Sequence, residues 1–466
     1  MIVACALFME NMDATVIATA LPTIARDFGE SPLRLNLAIS AYLLSLAIFI
    51  PLSGWLADRL GARTVFCSAI VIFTLGSVGC SLVETLPQLV IARIVQGMGG
   101  AMMVPVGRLV VLRMIPKSEL VSAMAYLTVP ALIGPVIGPP LGGFIVTYAS
   151  WRWIFLINIP IGVLGFALAT MFIGNLREPH EQPLDAKGFA IVSLGLASTM
   201  FAFENVGRGV LSPAILVALM AGGCSLLALY AWHARSLAAP ILDLTLLHVQ
   251  TFRASVVGAF VFRMGMGALP FLVPLMLQLG FGLTPFASGM ITFASAAGAL
   301  TMKLVAAPIL HRLGFRTVLL LNTFVSGIFM ASYGLFGPTT PHALMIATLL
   351  MGGFFRSLQL TSLNTLAYAE ISEASMSRAT TLASVGQQLS LTLGVGLGAL
   401  LLHGTLLWTG KTALGPHDFG PAYFAIAAIS LTSLFFFLPL PRNAGAEISG
   451  REEGREAVAS ATHASG

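Results

Sequence analysis

Two acidic and five basic residues interrupt segments of the chain that are otherwise apolar. Glu10 and Asp13 are three positions apart in the first of these segments, so on a helix they share one face. A carboxylate inside an apolar bundle can titrate near neutral pH, because burial and a nearby cation shift its pKa in opposite directions. The pair is therefore the candidate proton-coupling site, and a static buried ion pair is the alternative.

The basic residues of these segments are Arg93, Arg108, Arg263, Lys303 and Arg356. A charge at the centre of a membrane helix costs about 2.5–3.5 kcal/mol on insertion scales, so such residues usually face a partner or a cavity. Five bases against two acids suit an organic anion better than a lipophilic cation. Arg263 and Arg356 are the predicted contacts of such an anion, whereas Arg108 and Lys303 either line the cavity or extend toward the cytoplasm.

The composition indicates a membrane protein. Of the 466 residues, 57% are hydrophobic and 9% are charged, and the mean hydropathy is +0.91. A soluble domain has roughly 25% charged residues. The net charge of +5 is spread between apolar segments without a basic run, which argues against a nucleic-acid partner. The predicted surrounding is the lipid bilayer.

About fourteen apolar segments are long enough to cross a bilayer as helices, the first near 2–25 and the last near 420–440. With the N-terminus in the cytoplasm, fourteen Lys and Arg residues of the loops and tail face inward. The loops of the opposite side hold five: Arg26, Arg34, Arg152, Arg208 and Lys411. The asymmetry predicts a multi-pass inner-membrane protein with both termini in the cytoplasm.

A charged decapeptide occurs twice, as GWLADRLGAR at 54–63 and as APILHRLGFR at 307–316. Arg59 matches Arg312 at an offset of 253 positions, and the same offset relates the two glycines at 99–100 to those at 352–353. Two matches at one offset indicate a duplicated unit. They predict an all-α membrane fold of two parallel six-helix repeats plus an inserted helix pair, the plan of many secondary transporters.

The predicted boundaries follow from this repeat. They are 1–178 for the first six-helix half, 179–240 for the inserted helices 7 and 8 with their linkers, 241–441 for the second half, and 442–466 for a polar tail. The tail is rich in small and polar residues, so it is predicted to be disordered. The second half is predicted to repeat the first, with a central site between the two like halves.

Five motifs in this order resemble the major facilitator superfamily, in particular its fourteen-helix drug:proton antiporter-2 branch. They are MDATVIATALP at 12–22, GWLADRLGAR at 54–63, RIVQG at 93–97, GPVIGPPLGG at 134–143 and WRWIFLINIPIG at 151–162. The resemblance covers nearly the whole chain and implies the major facilitator fold.

The resemblance implies a role for the first two motifs. Asp13 matches the acid of the helix-1 motif and is preferred to Glu10 as the proton site. Asp58 is implied to be a cytoplasmic latch whose carboxylate faces the positive N-terminal end of helix 13, near 379–381. The latch loop consists of Asp58, Arg59, Gly61 and Arg63, with the two arginines holding it to carboxylates or lipid phosphate. His311 stands at the matching position of the second copy, so only the first half keeps the acidic latch.

The remaining motifs supply cavity and interface residues. Arg93 and Gln96 of the helix-4 motif join Arg263 and Arg356 as predicted cavity residues. The helix-5 motif is implied to lie between the halves, and plain packing of small residues is a compatible alternative. Its residues are Gly134, Pro135, Gly138, Gly142 and Gly143.

These features predict a secondary active transporter, not an enzyme, that couples to protons and exports drugs or small metabolites by alternating access. Export of an organic anion is the alternative. A channel or a membrane-embedded enzyme is less favoured, because the repeat surrounds a central acid and no HExxH or GxSxG motif occurs. The expected partners are a small-molecule substrate, protons and lipid, without a cofactor or metal ion, and the protein is expected to act as a monomer.

Overall fold

The computed structural model describes residues 2–30, 32–116, 119–175, 183–206, 211–411 and 414–449. Within these ranges the chain forms helices and connecting turns without any β-strand. The predicted all-α fold is therefore confirmed. Arg208 and residues 450–466 of the predicted tail lie outside the described residues.

The first half consists of six helical segments, three of which contain a break or a change of helix type. Their bounds are α1 Ile2–Phe28; α2 Pro32–Phe49, continued by Ile50–Leu52 and Ser53–Leu60; α3 Ala62–Leu82; α4 Leu86–Met114; α5 Leu120–Tyr148; and α6 Trp153–Leu156 with Asn158–Phe172. Helix α1 bends by 43° between Ile2–Ile17 and Thr19–Phe28.

The inserted pair and the second half supply the other eight segments. The inserted pair is α7 Ala186–Glu204 and α8 Pro213–Ala234. The second half is α9 Gln250–Gly280, α10 Pro285–Leu313, α11 Phe315–Tyr333, α12 His342–Leu366, α13 Met376–Thr409 and α14 Gly420–Phe437. Helix α9 is irregular, since two π-helical turns, Ala254–Gly258 and Met276–Gly280, interrupt its α-helical hydrogen bonding.

Most of these segments are long and apolar enough to cross a membrane. Twelve helices in the described ranges meet this condition, and the bent α1 makes a thirteenth. Helix α5 is 29 residues long and contains no charged residue, so it too has the length that a membrane span requires. The fourteen segments expected from the sequence are thus all helical in the structure.

The packing of the first half recurs in the second. Helix α1 packs on α5 and α6, as α9 packs on α13 and α14. Helix α4 packs on α2 and α3, as α12 packs on α10 and α11, and the pair α3 and α6 corresponds to α11 and α14. The two repeats predicted from the sequence therefore share one internal arrangement. They meet through α5 against α10 and α12 on one side, and through α13 against α2 and α4 on the other.

The inserted helices α7 and α8 pack against each other, and α7 also contacts α2 and α13 of the two halves. Asp185 precedes α7 and accepts a hydrogen bond from the Gly188 amide at 2.8 Å. The same carboxylate lies 3.0 Å from Nε2 of His233, in the last turn of α8. The pair is thus held together at its ends, while most of α8 faces outward.

The repeated decapeptide has one structural role in both halves. Gly61 lies between α2 and α3 with φ 93°, and Gly314 lies between α10 and α11 with φ 77°. Residues with a Cβ rarely adopt this backbone conformation. A Cβ on Gly61 would also lie 2.1 Å from Oδ1 of Asn175. Each copy of the motif therefore uses glycine to reverse the chain between two membrane helices.

The first residues of the predicted disordered tail are ordered, so this part of the prediction is wrong. Residues 442–449 end in a single helical turn, Ala446–Ser449, which contacts α5 and α10. Ala444 and Ile448 are 6% and 1% exposed. Apolar side chains inside the polar segment bury against the bundle, which composition alone does not reveal.

Two glycines permit the close crossing of α10 and α12. A Cβ on Gly353 would lie 2.0 Å from the carbonyl oxygen of Ser295, and a Cβ on Gly298 would lie 1.9 Å from that of Leu350. We expect Gly353→Ala to force the two helices apart and to lower stability by about 1–3 kcal/mol, the usual cost of overpacking. Thermal unfolding of the purified protein in detergent measures the loss.

Gly289→Ala is the matched control, because it adds the same methyl group to α10 at a position with no atom within 4 Å of the new Cβ. Equal unfolding temperatures for Gly353→Ala, Gly289→Ala and the native protein would contradict the assigned role of this crossing.

Candidate functional site

A buried ion pair joins α1 to α4. Oδ2 of Asp13 accepts a hydrogen bond from Nη1 of Arg93 at 2.5 Å, and the side chains of both residues are at most 1% exposed. The Arg93 guanidinium also lies 4.2 Å from the centre of the Tyr42 ring on α2. Removing two charges from water is costly, and a buried pair is retained where further polar groups satisfy it.

Neutral side chains from three helices complete this network. Oδ1 of Asp13 accepts hydrogen bonds from Nε2 of Gln96 at 2.9 Å and from Nδ2 of Asn158 at 3.1 Å. Gln96 also donates to Oγ of Ser77 at 2.8 Å and accepts from Nη1 of Arg93 at 2.6 Å. The carboxylate of Asp13 thus has three donors around it and connects α1, α3, α4 and α6.

The prediction that Arg93 and Gln96 line a substrate cavity is wrong for this conformation. Both residues are 0% exposed, and each forms a hydrogen bond with Asp13 inside the bundle. Sequence reasoning missed Ser77 and Asn158, which carry no charge. Their signal was a small polar side chain inside an apolar span, and such residues are also common in ordinary helix packing.

Glu10 lies one turn before Asp13 but does not join the network. Its Oε2 atom is buried without a hydrogen-bond partner in the described part of the chain. The 253-residue offset relates Glu10 to Arg263, yet Nη2 of Arg263 instead donates to Oδ1 of Asn364 at 2.6 Å. The two predicted proton-site acids therefore differ, since Asp13 is fully bonded and Glu10 keeps an unpaired oxygen.

The other membrane bases also donate to neutral acceptors. Arg356 donates to Oγ of Ser295. Lys303 donates to Oγ1 of Thr361 at 2.6 Å. Arg108 donates to the Tyr368 hydroxyl at 3.3 Å and to Oε1 of Gln387 at 3.2 Å. Lys303 and Arg108 thus bond inside the bundle, and Arg108 of the first half reaches the second.

The predicted latch lies at the junction of the two halves. Ser377, in the first turn of α13, donates a hydrogen bond to Oδ2 of Asp58, and Nη2 of Arg113 lies 3.3 Å from Oδ1. Oγ of Ser53 lies 3.2 Å from Oγ1 of Thr381 on the same helix. The contact falls within one turn of the predicted position at 379–381. The halves are therefore closed against each other at this end.

The other latch residues differ in their surroundings. The Arg59 guanidinium lies 5.2 Å from the centre of the Trp55 ring. Gly61 forms the turn described above, and Arg63 begins α3 at the rim of a surface groove with Cys67 and Thr170. Asp58 of this motif bonds across the two halves through Ser377.

The helix-5 glycines pack against α1 of their own half. A Cβ on Gly138 would lie 2.2 Å from Oγ1 of Thr15, and one on Gly142 would lie 2.3 Å from Oγ1 of Thr19. Gly134 faces the backbone of Met12, whereas nothing lies within 4 Å of a Cβ on Gly143. The side chain of Pro135 lies outside the described residues. Helix α5 does lie between the halves, but its glycines face the helix that carries Asp13.

Two like bundles that meet around buried charges, and that are joined at one end by polar contacts, follow the plan of a secondary transporter. A sequence profile of the Major Facilitator Superfamily matches residues 3–248 and 255–465. Proteins named multidrug resistance protein MdtD from Salmonella paratyphi A and Klebsiella pneumoniae subsp. pneumoniae are 41% and 38% identical over 405 and 460 residues. These alignments cover 86% and 97% of this chain, and 85% and 97% of the relatives.

Solved structures share the fold at low sequence identity. The human organic anion transporter MFSD10 has a TM-score of 0.66 at 14% identity, covering 94% of this chain and 98% of that one. The proton:xylose symporter XylE has a TM-score of 0.68 at 15% identity and covers 97% of both chains. The chain belongs to the Major Facilitator Superfamily, and it is a transporter, not an enzyme.

The latch contact generates a prediction about the closed state. Asp58→Asn should weaken the interaction with the start of α13 by about 0.3–1 kcal/mol, the typical worth of a charge at a helix end. Opening at this end should then rise about 2- to 5-fold. The measurement is labelling of a Ser384→Cys reporter by a membrane-impermeant maleimide in inside-out vesicles, with the 4 native cysteines replaced by serine.

Ser384 suits the reporter because it is 4% exposed and lies seven residues after Ser377, on the same face of α13. Glu84→Gln is the control, since it removes an exposed carboxylate from the loop between α3 and α4. The latch role is ruled out if Asp58→Asn changes neither labelling nor transport.

Proposed function

We propose that the protein is a proton-coupled exporter of drugs or small metabolites that works by alternating access in the inner membrane. The family and the multidrug-resistance names of the MdtD relatives support export of small molecules. The observation that carries the proton coupling is the different bonding of two acids one turn apart, Asp13 and Glu10.

Asp13 and Glu10 have different roles in this proposal. Asp13 is the anchor, because Arg93, Gln96 and Asn158 all donate hydrogen bonds to it. Glu10 exchanges the proton. A neutral carboxylic acid tolerates a buried, unpaired oxygen at a far lower cost than a carboxylate does. The sequence favours Asp13 for this step, and the hydrogen bonds move the proposal to Glu10 with Asp13 as its anchor.

Alternating access then links the proton to the substrate. Glu10 takes up a proton while the substrate leaves on the outer side, and it releases the proton while a new substrate binds from the cytoplasm. Because Glu10 lies on α1, a change in its charge acts on the helix that the glycines of α5 contact most closely. Both termini are assigned to the cytoplasm from the Lys and Arg bias of the loops, and a single chain holds both halves, which supports a monomer.

Export of an organic anion is the second candidate. The observation that favours it is the pairing of the membrane bases of the second half with neutral acceptors, as at Arg263, Lys303 and Arg356. A lipophilic cation gains nothing from such groups and is repelled by them.

The proton assignment predicts different phenotypes for the two acids. Glu10→Gln should abolish accumulation driven by a pH gradient in inverted vesicles, while exchange of labelled for unlabelled substrate without a gradient continues. Asp13→Asn should lower the free energy of unfolding by about 3–5 kcal/mol, because asparagine is a weaker partner than aspartate for the buried Arg93. Ethidium and succinate serve as the cationic and anionic test substrates, and thermal unfolding in detergent reports stability.

Asp27→Asn is the control on the same helix, since Asp27 is exposed at the far end of α1. It should retain gradient-driven accumulation. Concentrative transport by Glu10→Gln would refute the proton role of this residue, and an unaltered unfolding temperature in Asp13→Asn would refute the anchoring role of Asp13.

A further inference from the structure

Four cations, of which Arg263 and Arg108 are buried and Arg356 and Lys303 half-buried, are held by neutral side chains between mid-membrane and the closed end of the bundle. We call Arg356, Lys303, Arg263 and Arg108 the cationic ladder. Its members come from four different helices, α12, α10, α9 and α4. A role for the cationic ladder in substrate binding rests on the proposed transport function and concerns the chemical class of the substrate.

Side chains on one face of α12, and in the turn after it, accept hydrogen bonds from three of these cations. Lys303 donates to Thr361, Arg263 to Asn364 and Arg108 to Tyr368. The acceptors are three and four positions apart, which places them one above the other on a helix. From Arg356 to Asn364 the helix rises about 12 Å. The acceptors are therefore regularly spaced, although the cations that they bind come from separate helices.

No carboxylate in the described residues forms an ion pair with any member of the ladder. The contrast with other arginines is clear, since Arg93 pairs with Asp13, Arg113 with Asp58 and Arg378 with Asp243. Ser, Thr, Asn and Tyr side chains can orient a guanidinium or an ammonium group but cannot neutralise it. Arg263 and Arg108 carry like charges, and both lie inside the bundle.

These like charges share one region of the bundle, and in the described part of the chain no carboxylate neutralises them. Arg263 and Arg108 are 7% and 8% exposed. Intramembrane cations are costly and usually mark the path of a substrate or an ion. A guanidinium presents paired donors that match a carboxylate or a phosphate group, and an ammonium adds a point charge. The missing countercharge is best supplied by a ligand.

We propose that the cationic ladder binds an organic anion with more than one carboxylate or phosphate group. The anion contacts Arg356 and Arg263 in the second half, with Lys303 between them, while Arg108 joins it from the first half. The neutral acceptors keep the four cations in position when no anion is bound. A lipophilic cation is excluded by the same charges, which makes the site selective by repulsion as well as by attraction.

Equilibrium binding to the purified protein tests this proposal without a proton gradient. The probes are succinate as a dicarboxylate, glycerol 3-phosphate as a phosphate ester, and tetraphenylphosphonium as a lipophilic cation. We expect one of the anions to bind, and Arg263→Gln and Arg356→Gln each to weaken it about 10- to 100-fold, the range for loss of a charged hydrogen bond. Whichever anion binds more tightly identifies carboxylate or phosphate as the preferred group.

Two further variants complete the test, one as a control and one that neutralises Arg263. Arg253→Gln removes an exposed positive charge from the same helix as Arg263 and should leave binding unchanged. Asn364→Asp keeps the shape of the acceptor but gives Arg263 a carboxylate partner, so the protein should fold and yet bind the anion more weakly. A loss of affinity in Asn364→Asp cannot come from a lost contact or a cavity.

The outcomes separate this proposal from the proposed function. Binding of tetraphenylphosphonium with no binding of either anion overturns the anion site and leaves proton-coupled export intact. Undiminished anion affinity in Arg263→Gln, Arg356→Gln and Asn364→Asp would also overturn it. A failure of proton coupling would instead appear in the gradient-driven vesicle assay, where Glu10→Gln would behave like the native protein.

Discussion

The ion pair between Asp13 and Arg93 organises the polar interior of the first half. It places one negative and one positive charge where neither could remain alone, and Gln96 and Asn158 complete the hydrogen bonds around it. Because these residues come from α1, α4 and α6, the pair ties the helix that carries Glu10 to the centre of the bundle. In the proposed mechanism, helix α1 responds to the charge of Glu10 without losing its position, since Asp13 holds the helix one turn away.

The second half has the same helices but a different polar interior. Where α3 and α4 share the charged network of the first half, α11 and α12 are joined by neutral groups, with Nδ2 of Asn322 donating to Oε1 of Gln359 at 3.0 Å and Nε2 of Gln359 donating to Oγ1 of Thr323 at 2.7 Å. The acid of the first decapeptide, Asp58, likewise has His311 at the matching position. Duplication preserved the packing, while charge has become unequal between the halves. An excess of cations in one half is compatible with folding because uncharged acceptors orient them.

The sequence predicts the helical repeats well, because the length of an apolar segment and a repeated glycine turn are local properties. The contact of Asp58 with the start of α13 was also predictable, since a carboxylate is stabilised by a helix N-terminus. The offset also relates Glu10 to Arg263, but the structure does not pair these two residues, since Arg263 donates to Asn364. A sequence offset matches equivalent positions in two bundles, but it does not bring them into contact.

Arg93 and Gln96 were misplaced for a related reason, since a polar or charged residue in a span faces either a cavity or a partner, and only the packing decides between them. The acceptors Thr361 and Asn364 carry no charge, so nothing singled them out before their partners were known.

Closure and charge are linked through Arg108. Its guanidinium lies on α4 of the first half, and its acceptors Tyr368 and Gln387 belong to the second. These hydrogen bonds break when the two halves separate at this end, as do the contacts of Asp58 and Ser53 with α13. A buried cation that loses its acceptors needs either water or an anion in their place. In the proposed cycle, opening toward this side exposes the positive charge of Arg108 when a substrate can reach it, and reclosure returns that charge to the acceptors of the second half. Because charge is unequal between the two halves, Arg108 has different electrostatic partners in the closed and open states of the proposed cycle.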